Sequence, residues 1–159
     1  KLGIIIDVSH SSDKTIKDIL EITKKPIIAT HSNFRSVCNH NRNLPDEYVS
    51  AIASRGGYIG LNLYYQFVCG NIEYSIGDLY PHIKYVIDNG YHDYVGFGFD
   101  IDGVGDTYSK ELNLNKSIHD QYINMLHEKT SKCTPETRYD FIEKLSGKNF
   151  LDFMMRYYS

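Results

Sequence analysis

The chain has 159 residues, of which 42% are hydrophobic and 23% are charged, proportions typical of a folded domain and not of a disordered segment. Its formal net charge is -3 and it has no long basic run, so we expect no nucleic-acid partner. No apolar run approaches the roughly 20 residues that cross a bilayer, so we expect no membrane-spanning segment.

The chain begins at Lys1, inside an apolar run, without an initiating Met. We therefore expect it to be a piece of a longer protein. The 3 cysteines, Cys38, Cys69 and Cys133, lack Cys-x-x-Cys spacing, so neither a disulfide framework nor a thiolate zinc site is indicated. Ordinary reduced thiols are the expectation, and we predict a cytoplasmic location.

Short β-rich runs alternate with helical patterns along the chain. Residues 3–9 form a continuously apolar run, which predicts a strand buried on both faces. Ser12 or Asp13 then caps a predicted helix that ends before Pro26. Together these segments predict a βα unit.

The same alternation continues to the end of the chain. Further strands are predicted at 26–30, 57–63 and 94–99, and further helices at 45–56, 78–89, 117–128, 135–145 and 149–157, with a long polar loop at 32–44. Repeated βα units in one domain predict a parallel sheet, either doubly wound or part of a (β/α) barrel. In both architectures the functional residues lie at the carboxyl ends of the strands.

Polar residues follow the predicted strands at this edge. They are His10, His31, the pair Asn62 and Tyr64, and the pair Asp100 and Asp102. Imidazole and carboxylate groups bind zinc and related ions, so the pattern indicates metal-assisted hydrolysis. A single strand-end histidine is more often structural, but two at matching ends favour a metal site. Asp102 can equally cap a turn at Gly103.

Other candidate motifs are weaker. The run Gly96-Phe97-Gly98 lacks the third glycine and the following helix of a dinucleotide-binding loop, so tight strand packing explains it better. His82, His119 and His127 fall in helical patterns away from the strand ends, where packing or solvated roles are expected.

A family resemblance becomes specific at the strand-end motifs. The matching segments occur in the family's order: Ile6–His10, Lys25–Asn33, Asn41–Asp46, Gly56–Asn62, Gly96–Val104 and Gly147–Phe150. They resemble the renal, or membrane, dipeptidase family of zinc peptidases in the amidohydrolase superfamily. The resemblance covers nearly the whole chain.

The resemblance implies the C-terminal half of a (β/α)8 TIM-type barrel, with four parallel βα units plus C-terminal helices. The complete enzyme would carry two zinc ions bridged by a glutamate, with a hydroxide that attacks the peptide bond of a dipeptide. By this resemblance His10 and His31 bind one zinc, and Asp100 orients the hydroxide and carries its proton to the leaving amine. Arg42 contacts the substrate, and the segment with Asn62 and Tyr64 lines the pocket.

The chain also departs from the family pattern. The family's other zinc is held by a His-x-Asp pair and the bridging glutamate, but this chain has no His-x-Asp, and its glutamates fall in predicted helices and loops. We therefore expect the missing ligands in a partner, either the N-terminal half of the barrel or a second copy of the chain in a homodimer. Residues 1–159 alone are expected to be inactive.

Two alternatives remain open at this point. One is a related amidohydrolase that acts on a non-peptide amide or a lactone. The other is a non-catalytic half-barrel that serves in binding or assembly. Zinc content and dipeptide turnover separate the peptidase from the binding module, and a substrate panel separates the two hydrolases.

Overall fold

The computed structural model describes residues 2–68, 73–101 and 117–159. Three strands, β1 (Ile28–Ala29), β2 (Tyr58–Leu61) and β3 (Val95–Phe97), form a parallel sheet in that order. The helices are α1 (Asp13–Ile22), α2 (Asp46–Ser54), α3 (Tyr65–Val68), α4 (Tyr80–Asp88), α5 (Ile118–Lys129), α6 (Pro135–Glu143) and α7 (Asn149–Tyr158). A 3-10 turn (Ile76–Leu79) precedes α4, and a π-helical turn (Lys144–Lys148) joins α6 to α7. The predicted α/β class with a parallel sheet is confirmed.

Most helices begin where their capping residues predict. The side chain of Ser12 accepts a hydrogen bond from the Thr15 amide at the start of α1, and Ser117 caps α5 in the same way. Pro81 lies in the first turn of α4, where its missing amide proton costs no helical hydrogen bond. The sequence did not predict α3, whose 4 residues are too few for a periodic pattern.

The first predicted strand forms only a short pairing at the edge of the sheet. Asp7 bridges Ile28 in parallel, and the Val8 amide donates to the Ile28 carbonyl at 2.8 Å. The prediction of burial on both faces is wrong, because Ile4 is 68% exposed and Ile6 is 38% exposed. The segment lies beside β1 at the outside of the sheet, and no element among the described residues pairs with its other side.

The two faces of the sheet are covered differently. We call the first the helix face. It carries fully buried aliphatic side chains that pack with those of α1, α2, α4 and α5 in one core. On the sheet these are Ile27, which directly precedes β1, and the strand residues Ala29, Ile59, Leu61 and Val95. This continuous apolar layer holds the helices on the sheet.

We call the opposite side the α7 face. There Ile28 and Tyr58 pack against Phe153 of α7 in a smaller core. The Asn149 side chain donates to the carbonyls of His92 and Val95, each at 2.7 Å, and so anchors the start of α7. Because Ile28 and Tyr58 begin their strands, this smaller core lies toward the amino ends of the strands.

None of the helices among the described residues combines the length and hydrophobicity needed to cross a bilayer. Residues Asp102 and Gly103, for which the sequence left both a site carboxylate and a turn open, lie outside the described residues, as does Cys69.

Candidate active site

The predicted site residues lie at the carboxyl edge of the sheet. His10 follows the edge segment, His31 follows β1, Asn62 follows β2 and Asp100 follows β3. Since neighbouring strands are parallel, the residues after each strand come to the same edge. An open pocket of about 420 Å³ lies there, with His31 and Asp100 in its wall.

The two histidines meet through their ring nitrogens. The Nε2 atoms of His10 and His31 are 2.8 Å apart, and the rings meet edge to face with centroids 4.9 Å apart. His10 is exposed and His31 is half-buried. Both imidazoles therefore direct the same nitrogen to one point.

Asp100 lies next to this pair. Its Oδ2 is 4.0 Å from His31 Nε2 and accepts a hydrogen bond from the Asn62 side-chain amide at 3.1 Å. The backbone of Asp100 has φ +57°, in the left-handed region that non-glycine residues rarely adopt. This backbone conformation lies three residues after the end of β3, where the carboxylate is near the histidines.

Arg42 reaches the same point from the loop between β1 and α2. Its Nη1 donates to the Ser9 carbonyl, and its Nη2 lies 3.4 Å from His10 Nε2. The guanidinium also lies over the ring of Phe67, 5.3 Å from its centroid. Partial burial lowers the pKa of Arg42, opposed by the carboxylates of Asp100 and Asp7, but the group remains charged at neutral pH.

Two buried asparagines hold this loop in place. The Asn33 side chain donates to the carbonyls of Asn62 and Phe67, at 3.0 and 3.1 Å. The Asn43 side chain donates to the Phe67 carbonyl at 2.9 Å. The loop is long, as predicted, but these bonds fix it against α3, so Arg42 projects from an ordered support.

Asn62 and Tyr64, predicted to line the substrate pocket, differ in exposure. Asn62 is fully buried, and its side-chain oxygen accepts the Tyr64 amide while its nitrogen binds Asp100. Tyr64 is half-buried and packs against Phe67 with ring centroids 4.8 Å apart. In this arrangement Asn62 supports Asp100, and its contact with a substrate stays a prediction.

Asp7 belongs to the Ile6–His10 motif, and the sequence alone indicates no role for it. Its Oδ1 accepts hydrogen bonds from the Ser9 amide, the Ser9 hydroxyl and the Thr30 amide, at 3.0, 2.7 and 3.1 Å. Its Oδ2 accepts the Thr30 hydroxyl at 2.5 Å, and Thr30 Oγ1 lies 2.8 Å from His31 Nδ1. The signal in the sequence was spacing, because Asp7 and Ser9 alternate onto one face just before His10.

These contacts shift two pKa values. Burial tends to raise the pKa of Asp7, but the hydrogen bonds from Thr30 and Ser9 outweigh it and the net shift is downward. Burial lowers the pKa of His31, with Asp100 acting in the opposite direction and His10 adding to the decrease. A neutral imidazole is the form that binds metal ions.

The donor set fits part of a zinc site. Two convergent imidazole nitrogens are typical zinc ligands, and such bonds are about 2.0–2.1 Å long. Among the described residues, no group of three or more His, Cys, Asp or Glu side chains is placed to hold a metal ion. The described residues therefore bring two imidazole nitrogens together at this edge and do not form a complete four-ligand site.

Comparison with known proteins gives the family. The profile described as membrane dipeptidase (peptidase family M19) matches residues 1–155. The chain belongs to the membrane dipeptidase family. The resemblance stated from the strand-end motifs is confirmed.

Relatives of known sequence and structure agree with this assignment. An uncharacterized dipeptidase of Schizosaccharomyces pombe is 34% identical over 106 residues, which are 65% of this chain and 26% of the relative. A metallopeptidase of family M19, dipeptidase AC, has a similar structure, with a TM-score of 0.80 and 26% identity over 98% of this chain.

A Rhodobacter sphaeroides metallopeptidase, solved with a phosphinate mimic of the dipeptide L-Ala-D-Ala, has the same TM-score of 0.80 and the same 26% identity. The chain covers 44% of dipeptidase AC and 43% of the Rhodobacter protein. It therefore spans less than half the length of these two structures.

Proposed function

We propose that this membrane dipeptidase family chain contributes one side of the active site of a zinc-dependent dipeptidase. The observation that carries the proposal is the convergence of His10 and His31, whose Nε2 atoms are 2.8 Å apart, with Asp100 4.0 Å from His31. Two imidazoles and a carboxylate at the carboxyl ends of parallel strands are the groups that metal-assisted hydrolysis needs.

Each predicted residue has a role in this proposal. His10 and His31 hold one zinc ion, which when bound polarises the substrate carbonyl and lowers the pKa of water. Asp100, oriented by Asn62, would take a proton from the attacking water at its carboxylate and pass it to the leaving amine. Arg42 holds a carboxylate or a developing negative charge on the substrate through its guanidinium, and Tyr64 forms part of the pocket wall.

The second zinc and its ligands would come from outside this chain. We propose that the chain is the C-terminal half of a (β/α)8 barrel, completed by an N-terminal half or by a second copy in a homodimer. The exposed aliphatic side chains of the edge segment, Ile4 and Ile6, support this, since the remaining half of a barrel would cover that edge and its side chains. The coverage of 44% of dipeptidase AC agrees with half of a barrel.

Arg42→Lys in the full-length protein tests the substrate role. A lysine keeps the charge but loses the two-pronged contact, so we expect unchanged zinc content and at least roughly tenfold lower kcat/KM on dipeptides. Zinc is measured by elemental analysis, and turnover is measured on a panel that includes L-Ala-D-Ala. The matched control is Arg156→Lys, at an exposed position of α7, which should behave as wild type.

The outcomes of this experiment separate the alternatives. Loss of zinc in Arg42→Lys, or full activity, would contradict the role given to Arg42. Turnover of lactones or non-peptide amides with no turnover of dipeptides would identify a related amidohydrolase instead.

Residues 1–159 expressed alone test the half-barrel. Two histidine ligands should bind zinc weakly, and we expect no dipeptide hydrolysis by this piece, together with association or aggregation through the exposed edge. Molecular mass by light scattering and hydrolysis assays with added zinc measure both. A monomer with robust turnover would show that the half-barrel proposal is wrong.

A further inference from the structure

Asp7 connects to His31 through a chain of hydrogen bonds. The Asp7 carboxylate accepts the Thr30 hydroxyl at 2.5 Å, and Thr30 Oγ1 lies 2.8 Å from His31 Nδ1. On the other side of the same ring, Nε2 faces His10 at 2.8 Å. One carboxylate is thus linked to the imidazole that the proposed function assigns to zinc.

The direction of these bonds follows from counting protons. Asp7 receives donors from Ser9 and from Thr30, and a carboxylate with several donors is ionised and has no proton to give. The single hydroxyl proton of Thr30 therefore points to Asp7. The contact between Thr30 and His31 then requires a proton on Nδ1, which donates to Thr30 Oγ1.

Ser9 does not change this assignment. Its hydroxyl lies 2.7 Å from Asp7 Oδ1 and 3.1 Å from Thr30 Oγ1, and its oxygen accepts the backbone amide of His31 at 3.1 Å. The shorter contact takes the hydroxyl proton to Asp7. Both hydroxyl groups of the cluster are therefore donors to the same carboxylate.

We infer that Asp7 is a positioning residue that acts through the Thr30 hydroxyl to hold His31 as its Nδ1–H tautomer, with the Nε2 lone pair available to a metal ion. The metal part of this inference rests on the proposed function, and the tautomer does not. Outer contacts of this kind orient metal-binding histidines, and their loss typically weakens metal affinity about 10–100-fold.

Asp7→Asn in the full-length protein should reverse the direction of the hydrogen bonds that run from His31 through Thr30 to residue 7. We call this chain of hydrogen bonds the relay. Asparagine has nearly the same shape as aspartate, so the packing should change little. The amide oxygen keeps the three donors at the Oδ1 position, and the amide nitrogen then donates to Thr30 Oγ1. The Thr30 hydroxyl is left to donate to His31 Nδ1, which moves the ring proton to Nε2. An Nε2–H imidazole has no lone pair there for zinc.

Nitrogen-15 NMR of histidine-labelled, metal-free protein reads the tautomer directly, at about pH 8 where the imidazole is neutral. The His31 signals are identified by their absence in His31→Gln. We expect Nδ1–H in the wild type and Nε2–H in Asp7→Asn, while Asp18→Asn, an exposed carboxylate of α1, matches the wild type. The same tautomer in wild type and Asp7→Asn would overturn the inference.

Zinc affinity, measured by competition with a chelator, tests the metal part. We expect about 10–100-fold weaker binding in Asp7→Asn and no change in Asp18→Asn. A switched tautomer with unchanged affinity would overturn the link to the metal. If the wild type itself bound no zinc, the proposed function would fail, and the NMR result would still decide the tautomer.

Thr30 variants test the relay without changing Asp7, should Asp7→Asn fail to fold. Thr30→Ser keeps the bridging hydroxyl and should keep Nδ1–H and wild-type affinity. Thr30→Val removes it, and His31 should become a mixture of tautomers with intermediate affinity. A Thr30→Val protein that held His31 entirely as Nδ1–H would contradict the relay.

Discussion

The helix face and the α7 face of the sheet use the same strands for different purposes. On the helix face, side chains such as Ile59 and Leu61 are fully buried in a continuous apolar core. On the α7 face, the buried apolar cluster of the described residues lies at the strand starts, around Ile28 and Tyr58. Beyond these residues the face becomes polar, with Asp7 and Thr30 leading to the candidate site.

The difference shows how the fold separates stability from chemistry. The helix face excludes water, so changes there should affect unfolding before they affect the site. The carboxyl end of the α7 face has small residues and hydrogen bonds, so changes there should move site atoms while the core persists.

Ile59→Ala should destabilise the full-length protein most. Ile59 is fully buried on the central strand, and truncating a buried isoleucine costs about 2–5 kcal/mol of unfolding free energy through lost burial and a cavity. Urea denaturation followed by circular dichroism measures the change. Ile22→Ala, at a position 84% exposed at the end of α1, is the control and should stay within about 0.5 kcal/mol of wild type. A loss below about 1 kcal/mol at Ile59 would contradict the helix face as the main stabilising layer.

His82, a buried residue of α4, should make the unfolding free energy of the protein sensitive to acid. Its ring is fully buried, accepts the Phe34 amide at Nδ1 and lies 3.0 Å from the Val68 carbonyl at Nε2. Burial lowers the pKa of His82 to about 4, from an ordinary value of 6.5, so the folded state resists protonation.

The sign of the pH effect follows from that depressed value. Stability from a neutral His82 is fully present above pH 6.5 and declines as the pH falls from 6.5 toward 4, by on the order of 3 kcal/mol in total. His82→Gln does not titrate, so its unfolding free energy should depend less on pH across this window. Urea denaturation at several pH values measures the unfolding free energy of both proteins. An equal dependence on pH in the two proteins would contradict the acid sensitivity attributed to His82.

Gly98→Ala should damage the site more than the core. A Cβ at Gly98 would lie 1.8 Å from the Thr30 carbonyl oxygen, so either β3 or the Thr30 backbone must shift. Because His31 follows Thr30 directly, we expect at least about tenfold weaker zinc binding, equivalent to about 1.4 kcal/mol. Gly77→Ala, where the nearest atom is the Ser75 Oγ at 3.4 Å, is the control. Equal zinc affinity in all three proteins would show that this close approach does not position His31.

The parallel α/β class, most of the helix starts and the strand-end positions of His10, His31 and Asp100 could be predicted from the sequence. These features depend on short-range physics. Ser12 and Ser117 cap helices through amides three residues away, and apolar periodicity marks the elements without reference to distant parts of the chain.

How these residues meet could not be predicted from the sequence, because it depends on contacts between distant segments. The exposure of Ile4 depends on which element lies beside the edge segment, and the role of Asp7 depends on Thr30, 23 residues away. The burial of Asn62 and its bond to Asp100 join residues 38 positions apart. Such contacts are set by strand pairing and packing between distant segments, so the composition of any one segment does not predict them.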